Sequence, residues 1–263
     1  MALLEVEKLT VIEPRSPTWG RVGTDPSKLV DGVSFSVPPG QCVAIVGEHH
    51  SGTLPLTFAL LGLAHVAEGR VVFNDREITN LSDRQMRPIR RQMPALFSDD
   101  FGSLPPHQTI DRILIGAHAC GGGSRDKGDR IREIQRAMER AGLPLSSRHQ
   151  YPRDLGPGDR QRTALARALL QQPRMLILRD FTRGLDPSLQ AVLLNRLSDL
   201  KEELGLALLL ITHDLAVADH MAPEIHVMSR GKIVDSGPRD SVISDPQHDY
   251  TRRLIASAVT LRA

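Results

Sequence analysis

Three short, almost wholly apolar runs stand out in the hydropathy pattern of the chain. They are QCVAIV (residues 41–46), MLILRD (175–180) and LALLLITH (206–213). Runs of this length without alternation are typical of strands that are buried on both faces of a parallel sheet. The uninterrupted apolar part of the third run is too short to cross a bilayer. These runs predict the centre of an α/β fold.

Other segments show the periodicities of half-buried strands and amphipathic helices. LLEVEKL (3–9), VSFSV (33–37) and VVFND (71–75) have strand-like alternation or β-branched residues. Residues 129–142 and 186–205 carry apolar side chains at helical spacing, and each segment ends in a glycine. Because strands alternate with helices along the chain, a mostly parallel sheet covered on both faces is expected.

The segment 186–205 has the residues that begin and end a helix. Asp186 can cap the first turn, Pro187 fits within that turn, and Gly205 is suited to the position after the last turn. Its predicted apolar stripe consists of Leu189, Val192, Leu193, Leu197, Leu200 and Leu204.

Composition narrows the possible functions. Thirty-three Lys and Arg residues against 31 Asp and Glu residues leave a net charge of +2, and aromatic residues make up only 3% of the 263 residues. This balance does not favour nucleic-acid binding, which uses basic grooves and aromatic stacking platforms. Cys42 and Cys120 are far apart and lack a metal-binding spacing, which suits a reducing compartment.

The candidate chemistry begins at GEHHSGTL (residues 47–54), which lies between a predicted buried strand and a predicted helix. Strand, glycine loop and helix form the setting of a phosphate-binding loop with the pattern G-x-x-x-x-G-K-[ST]. Gly47 and Gly52 have the correct spacing. Thr53 stands at the lysine position, however, and Leu54 stands at the hydroxyl position.

Five segments together resemble the nucleotide-binding domain of ABC transporters, in the branch that imports oligopeptides, dipeptides and nickel. In chain order they are the loop region (residues 30–53), MPALFSDDFGSLPP (93–106), the long run 151–190, ITHDLAVAD (211–219) and DPQHDYTRRLIAS (245–257). The order of the family's motifs is kept over nearly the whole chain. The resemblance implies a RecA-like P-loop NTPase core with an N-terminal antiparallel β part and a helical subdomain insertion.

The same resemblance suggests the domain boundaries and the nucleotide-binding residues. Residues 1–98 and 158–240 would form the ATPase core, 99–157 the helical signature subdomain, and 241–263 a short C-terminal helical segment. The nucleotide-binding candidates are Gly47, Glu48, His49, His50, Ser51, Gly52, Thr53, Leu54, Ser98 and Arg179.

In the family, the loop lysine contacts the β- and γ-phosphates and the next hydroxyl holds Mg²⁺. Thr53 carries no charge, and Leu54 has no oxygen. The backbone N–H groups of the loop could still attract an anion weakly. His50 replaces a usual glycine and could crowd the phosphate path. We predict no metal site at His49 and His50, because adjacent side chains rarely converge on one ion.

The Walker B motif is also altered. With Asp186 aligned to the D-loop aspartate of the family, Arg179 takes the position of the magnesium-binding aspartate and Asp180 that of the catalytic glutamate. A buried arginine needs an anion. Asp180 is expected to point to the opposite side of the strand. The candidate partners of Arg179 are therefore a phosphate oxygen, Asp186 or Glu48.

Four further motifs complete the comparison with the family. Ser98 replaces the glutamine of the Q-loop. The aromatic that stacks on adenine in the family would fall near Glu13, and a tyrosine or tryptophan elsewhere, for example Trp19, could substitute for it. The signature L-S-G-G-Q becomes Leu155, Gly156, Pro157, Gly158 and Asp159, which would face the partner's site. The switch histidine, His213, is unchanged. Asp180 and His213 are thus the candidate catalytic residues.

The resemblance implies an ATP-binding subunit of an importer for peptides or a related small solute. It would lie peripherally at the cytoplasmic face of the membrane, with a second ABC ATPase subunit, two membrane permease subunits and a substrate-binding protein. The altered motifs predict weak ATP binding, impaired or lost hydrolysis, and a weakened role for Mg²⁺. Three alternatives are a working ATPase with unusual ligands, a scaffold that binds no nucleotide, and an ABC protein without a transport role.

Overall fold

The computed structural model describes residues 2–13, 27–98 and 102–260, with the side chains of 258–260 excepted. The chain divides into two compact units, one formed by Met1–Arg87 with Leu209–Ala263 and the other by Pro88–Leu208. The domain boundaries suggested by the family resemblance remain predictions.

Strands and helices are interspersed along the chain from the glycine loop onward, with α3, α4 and α5 in succession. The elements up to the middle of the chain are β1 (Leu4–Ile12), β2 (Lys28–Val37), β3 (Cys42–Val46), α1 (Thr53–Leu60), β4 (Val66–Phe73), β5 (Arg76–Glu77), α2 (Asp83–Gln92), β6 (Ala95–Phe97), α3 (Ile110–Cys120) and α4 (Lys127–Ala141). They are followed by α5 (Pro157–Leu169), β7 (Met175–Arg179), α6 (Pro187–Leu204), β8 (Ala207–Thr212), α7 (Leu215–Met221), β9 (Glu224–Ser229), β10 (Lys232–Pro238), α8 (Arg239–Ser244) and α9 (Asp249–Thr260).

The first unit contains the predicted N-terminal antiparallel sheet. Its four strands lie in the order β2-β1-β4-β5, and β1 pairs antiparallel with both of its neighbours. In the same unit β3 pairs in parallel with β9, which pairs antiparallel with β10. All five residues of β3 are buried, as the continuous apolar run predicts.

In the second unit β6 pairs in parallel with β7, so that Phe97 lies opposite Arg179 in the register. Helices α3, α4 and α5 contact one another. Among residues 102–157 the structure contains helices and no strand, in agreement with the predicted helical stretch. Cys42 is buried and Cys120 is exposed, and neither forms a disulfide.

Helix α6 begins and ends at the predicted residues. Asp186 accepts hydrogen bonds from the backbone N–H groups of Ser188 and Leu189 at 3.1 and 3.0 Å, and Gly205 has the left-handed φ of 64°. The predicted apolar stripe is partly wrong, because the buried residues are Leu193, Leu194, Leu197 and Leu200. Val192 is 54% exposed, since the buried face is narrower than the apolar pattern. None of the helices in the described part of the chain is long and apolar enough to span a membrane.

Candidate nucleotide-binding site

The glycine loop of the first unit leaves β3 and enters α1. The N–H of Gly47 donates to the carbonyl of Thr212 at 3.1 Å, which ties the loop to the end of β8. Gly52 has a φ of 102°, a value that favours glycine, and its carbonyl accepts the first backbone hydrogen bond of α1 from Leu56. The backbone of a phosphate loop is therefore in place around residues 47–52.

The two replaced residues at the start of α1 present no charge to this loop. The Thr53 side chain is buried, and its hydroxyl oxygen lies 3.5 Å from the hydroxyl of Ser51. Thr53 also accepts a hydrogen bond at its carbonyl from the Thr57 hydroxyl at 2.8 Å. Leu54 is half-buried and has no polar side-chain atom. Leu54, which stands at the hydroxyl position, has no oxygen with which to hold Mg²⁺, and the Thr53 hydroxyl is buried beside Ser51.

The two loop histidines are exposed and differ in backbone conformation. His50 has a φ of 66°, which a glycine at this position would adopt without strain. The rings of His49 and His213 meet edge to face with 6.3 Å between their centroids. The structure thus places His213, the predicted switch histidine, beside the loop. Within the described residues there is no group of three metal-binding side chains.

A tyrosine that the sequence analysis did not single out also contacts the loop. The Tyr250 hydroxyl, near the start of α9, accepts a hydrogen bond from the Glu48 N–H at 3.2 Å. Burial raises the pKa of Tyr250 above its ordinary value, so the hydroxyl remains neutral at pH 7. The chain has only two tyrosines, and this rarity was the available signal.

The second unit holds Ser98 and the residues of the altered signature. Ser98 is buried and its hydroxyl has no hydrogen-bond partner within the described chain. Leu155 follows a short 3-10 helix, Gly156 is the N-cap of α5, and Pro157 occupies its first turn. The next residue, Gly158, is buried. Asp159 forms an ion pair with Arg162 at 2.9 Å, so its negative charge is partly compensated within the same helix.

The structure corrects the predicted partner of Arg179. Its guanidinium lies 3.4 Å from the carboxylate of Asp180, and these side chains are 13% and 8% exposed. Asp180 lies just beyond β7 and has a left-handed φ of 46°, so the strand alternation that would separate the two side chains no longer applies. Burial lowers the pKa of Arg179, and the charge of Asp180 opposes this shift. Asp186, one of the suggested partners, instead caps α6.

The candidate site residues are divided between the two units of the chain. Glu48 lies in the first unit, as do the other loop residues and His213. Arg179, Asp180, Asp186, Ser98 and the signature lie in the second. Trp19 is outside the described residues, whereas Glu13 is described and is exposed. The assignment of nucleotide-binding and catalytic roles to these residues remains a prediction.

Gly52 offers a direct test of the loop backbone. A Cβ at this position would lie 2.6 Å from the carbonyl oxygen of Leu29, in addition to the strain of the positive φ. Gly52→Ala should therefore lower the free energy of unfolding by about 3 kcal/mol in urea titrations. Gly32 has a φ of 65° and open space around its Cβ position, so Gly32→Ala should cost only about 1 kcal/mol. Equal losses for both variants would contradict the close approach at Gly52.

Comparison with known proteins places this geometry in a family. The α/β fold of this chain matches two solved ATP-binding cassettes. The dimeric bacterial cassette MJ0796 has a TM-score of 0.78 and 22% identity, over 90% of this chain and 98% of that chain. The cbiO1 protein from Clostridium perfringens has a TM-score of 0.79 and 21% identity, over 100% of this chain and 99% of that chain. The fold is therefore that of an ABC ATPase cassette. Residues 30–183 match the family model for the ABC transporter. The chain belongs to the ABC transporter family.

Three relatives indicate which branch of the family this chain resembles. The chain is 36% identical to the peptidoglycan transport ATP-binding protein YejF of Agrobacterium fabrum over 91% of its own length and 44% of that protein. It is 35% identical to the glutathione import ATP-binding protein GsiA of Salmonella typhimurium, over 97% and 41%. A peptide import ATP-binding protein of Brucella ovis is 36% identical over 88% and 72%. The chain thus spans less than half the length of the first two, and the names agree with the predicted importer branch.

Proposed function

We propose that this chain is the nucleotide-binding-domain subunit of an ABC importer for peptides or a related small solute, and that it is the weakly hydrolysing or non-hydrolysing member of its ATPase pair. One observation carries the proposal. The loop keeps its glycine backbone, but Thr53 at the lysine position is buried against Ser51. A loop of this kind can offer backbone N–H groups to a phosphate but no side-chain cation from the lysine position.

The importer assignment rests on the relatives, whose names refer to peptides, glutathione and peptidoglycan. By analogy the chain would work at the cytoplasmic face of the membrane with a second ABC ATPase subunit, two permease subunits and a substrate-binding protein. ATP would lie between the loop of one ATPase and the signature of the other. With both its loop and its signature altered, this chain would contribute a weakened half to each of the two sites.

The Walker B position supports impaired hydrolysis independently. Arg179 stands where the family has a magnesium-binding carboxylate, and its guanidinium pairs with Asp180. Asp180 is the residue at the position of the catalytic base, so this ion pair draws the carboxylate toward a cation of the protein. A general base must be free to reach the proton that it removes. Leu54 and Arg179 do not offer Mg²⁺ the hydroxyl and the carboxylate that the family pattern provides at these positions.

The ion pair also favours a second candidate, a scaffold that binds no nucleotide at all. In that case Arg179 needs no phosphate, since Asp180 already supplies its negative charge. Both candidates make this chain a structural and coupling partner of an intact ATPase. They differ in whether any nucleotide is retained in its own loop.

The assembled importer provides the test. With wild-type partner ATPase, the complex should hydrolyse ATP, and Asp180→Asn in this chain should change turnover less than twofold because Asp180 supplies no base. Replacing the catalytic glutamate of the partner by glutamine should reduce turnover by about a hundredfold or more. A large loss from Asp180→Asn, with the complex intact by size-exclusion chromatography, would instead favour the working ATPase with unusual ligands.

A further inference from the structure

The second unit contains a cavity of about 240 Å³ between α4 and the end of α5. One wall is a face of α4, and the other consists of the last residue of α5 and the turn that follows it. We call it the α4–α5 cavity. Since a water of the liquid occupies about 30 Å³, the cavity has room for roughly eight non-hydrogen atoms. Its described lining residues lie outside the candidates for nucleotide binding, catalysis and the signature.

The α4 wall separates negative from positive charge along one helix face. The α4 residues that line the cavity are Glu133, Arg136, Ala137 and Arg140. Steps of three and four residues keep these side chains on the same face of the helix. The carboxylate therefore comes first along the helix, and the two guanidinium groups follow over the next two turns.

The two arginines are available to a ligand. Both are exposed, and among the residues that the structure describes no carboxylate lies within ion-pair distance of either guanidinium. Arg132, one turn earlier, is different, because it pairs with Asp129 at 2.5 Å. Two like charges four positions apart destabilise a helix slightly, and a bound anion would remove that repulsion. Guanidinium groups bind carboxylates through parallel hydrogen bonds, so this end of the cavity suits a carboxylate.

The Glu133 carboxylate is held at the other end of the same wall. One of its oxygens lies 2.5 Å from Nε2 of His118, a buried residue of α3. The Glu133 side chain is still 39% exposed, so the carboxylate can also accept a hydrogen bond from a ligand. It would repel a ligand that carried only negative charge, but it would attract an ammonium group. The whole wall therefore fits a zwitterion, with its carboxylate toward the arginines.

The second wall is apolar and fixed in place. Leu169 and Leu170 line it, together with Gln172. The loop after α3 packs tightly against this wall, since a Cβ at Gly121 would lie 2.3 Å from the Leu170 carbonyl oxygen. A ligand would bind a wall that is already formed, which lowers the entropy lost on binding. This surface suits an apolar side chain.

We propose that the α4–α5 cavity binds a free amino acid with an apolar side chain of about the size of leucine. Arg136 and Arg140 bind its carboxylate, and Glu133 accepts a hydrogen bond from its ammonium group. The apolar side chain of the ligand covers Leu169 and Leu170. Leucine has about nine non-hydrogen atoms, close to the capacity of the cavity. The inference goes beyond the proposed function, because the site needs neither a nucleotide nor a partner subunit.

Ligand-observed NMR titration of the full chain with L-leucine tests the proposal. For so small a ligand we expect a Kd of about 0.1–1 mM. Arg136→Ala and Arg140→Ala should each weaken binding by about tenfold, and the double variant should lose saturable binding. The matched control is Arg132→Ala, which removes an exposed arginine of the same helix and should bind within about twofold of wild type. Circular dichroism melting verifies that each variant folds.

Three analogues test which parts of the ligand are recognised. L-Leucinamide lacks the carboxylate, 4-methylpentanoate lacks the ammonium group and glycine lacks the apolar side chain, so each should bind at least about tenfold more weakly than leucine. Glu133→Gln should weaken the binding of leucine but strengthen that of 4-methylpentanoate, because the repulsive charge is gone. A purely structural role of Glu133 would not produce this change of preference, since a distorted cavity would bind both ligands less well.

Three outcomes would overturn the proposal. The first is the absence of saturable binding by wild type at about 10 mM leucine. The second is equal binding by wild type and the double arginine variant, which would place leucine elsewhere on the chain. The third is binding of leucinamide or 4-methylpentanoate as tight as that of leucine, which would exclude recognition of a zwitterion. These titrations contain no nucleotide, so the proposed function stands or falls separately.

Discussion

Purified chain should bind Mg·ATP weakly or not at all, and the variant Thr53→Lys/Leu54→Ser/Arg179→Asp should bind it about a thousandfold more tightly. The triple variant returns the lysine, the magnesium hydroxyl and the magnesium carboxylate of the family pattern. Hydrogen bonds that involve a charged group each contribute about 1.5–3 kcal/mol, so two or three of them account for the expected gain. Calorimetry with and without EDTA measures both the affinity and its dependence on the metal.

The single variant Thr53→Lys should recover little, about tenfold at most, and no hydrolysis. Arg179 would still replace the magnesium carboxylate, and losses among groups that act together are not restored one at a time. Leu63→Lys is the control for added charge. Leu63 is 60% exposed just after α1, so this variant adds a lysine outside the loop. Micromolar, Mg²⁺-dependent binding by the unaltered chain would refute the proposed weakness of its site.

The fold was predictable because its signals are local and repeated. The continuous apolar run before the loop became β3, which is buried throughout, and Asp186 and Gly205 mark the two ends of α6 as expected. Such signals depend on periodicity and on capping chemistry that a sequence carries directly. The width of a buried face is not local, and the exposure of Val192 shows where the pattern alone overestimates it.

The contacts between the candidate site residues were less predictable than the fold, because they depend on backbone conformation. Alternation along a strand placed Asp180 away from Arg179, but the left-handed φ of Asp180 brings their charged groups to 3.4 Å. Neither residue has a glycine or proline neighbour that would signal this change. Tyr250 meets the loop across 202 positions of sequence, a contact that depends on tertiary packing. Charge and spacing identify candidate residues, whereas pairing follows from the fold.

The buried pair of Arg179 and Asp180 should dominate the stability of its region. Asp180→Asn should lower the free energy of unfolding by about 3 kcal/mol, because it leaves the guanidinium, which is only 13% exposed, without its adjacent carboxylate. Asparagine tolerates the left-handed backbone of residue 180, so the variant tests the charge and not the conformation. For a domain of this size the loss corresponds to a fall in melting temperature of about 6–12 °C.

A double-mutant cycle separates the interaction energy of the Arg179–Asp180 pair from the effect of each single substitution. Arg179→Met keeps most of the apolar volume of the arginine stem, and the double variant Arg179→Met/Asp180→Asn removes both charges together. We expect the double variant to be more stable than Asp180→Asn alone by about 1–3 kcal/mol, because it also removes the buried guanidinium that has lost its adjacent carboxylate. Urea unfolding of the four proteins gives the coupling energy. A coupling of zero would mean that Arg179 takes its anion from elsewhere, and a bound phosphate would then again be a candidate for that role.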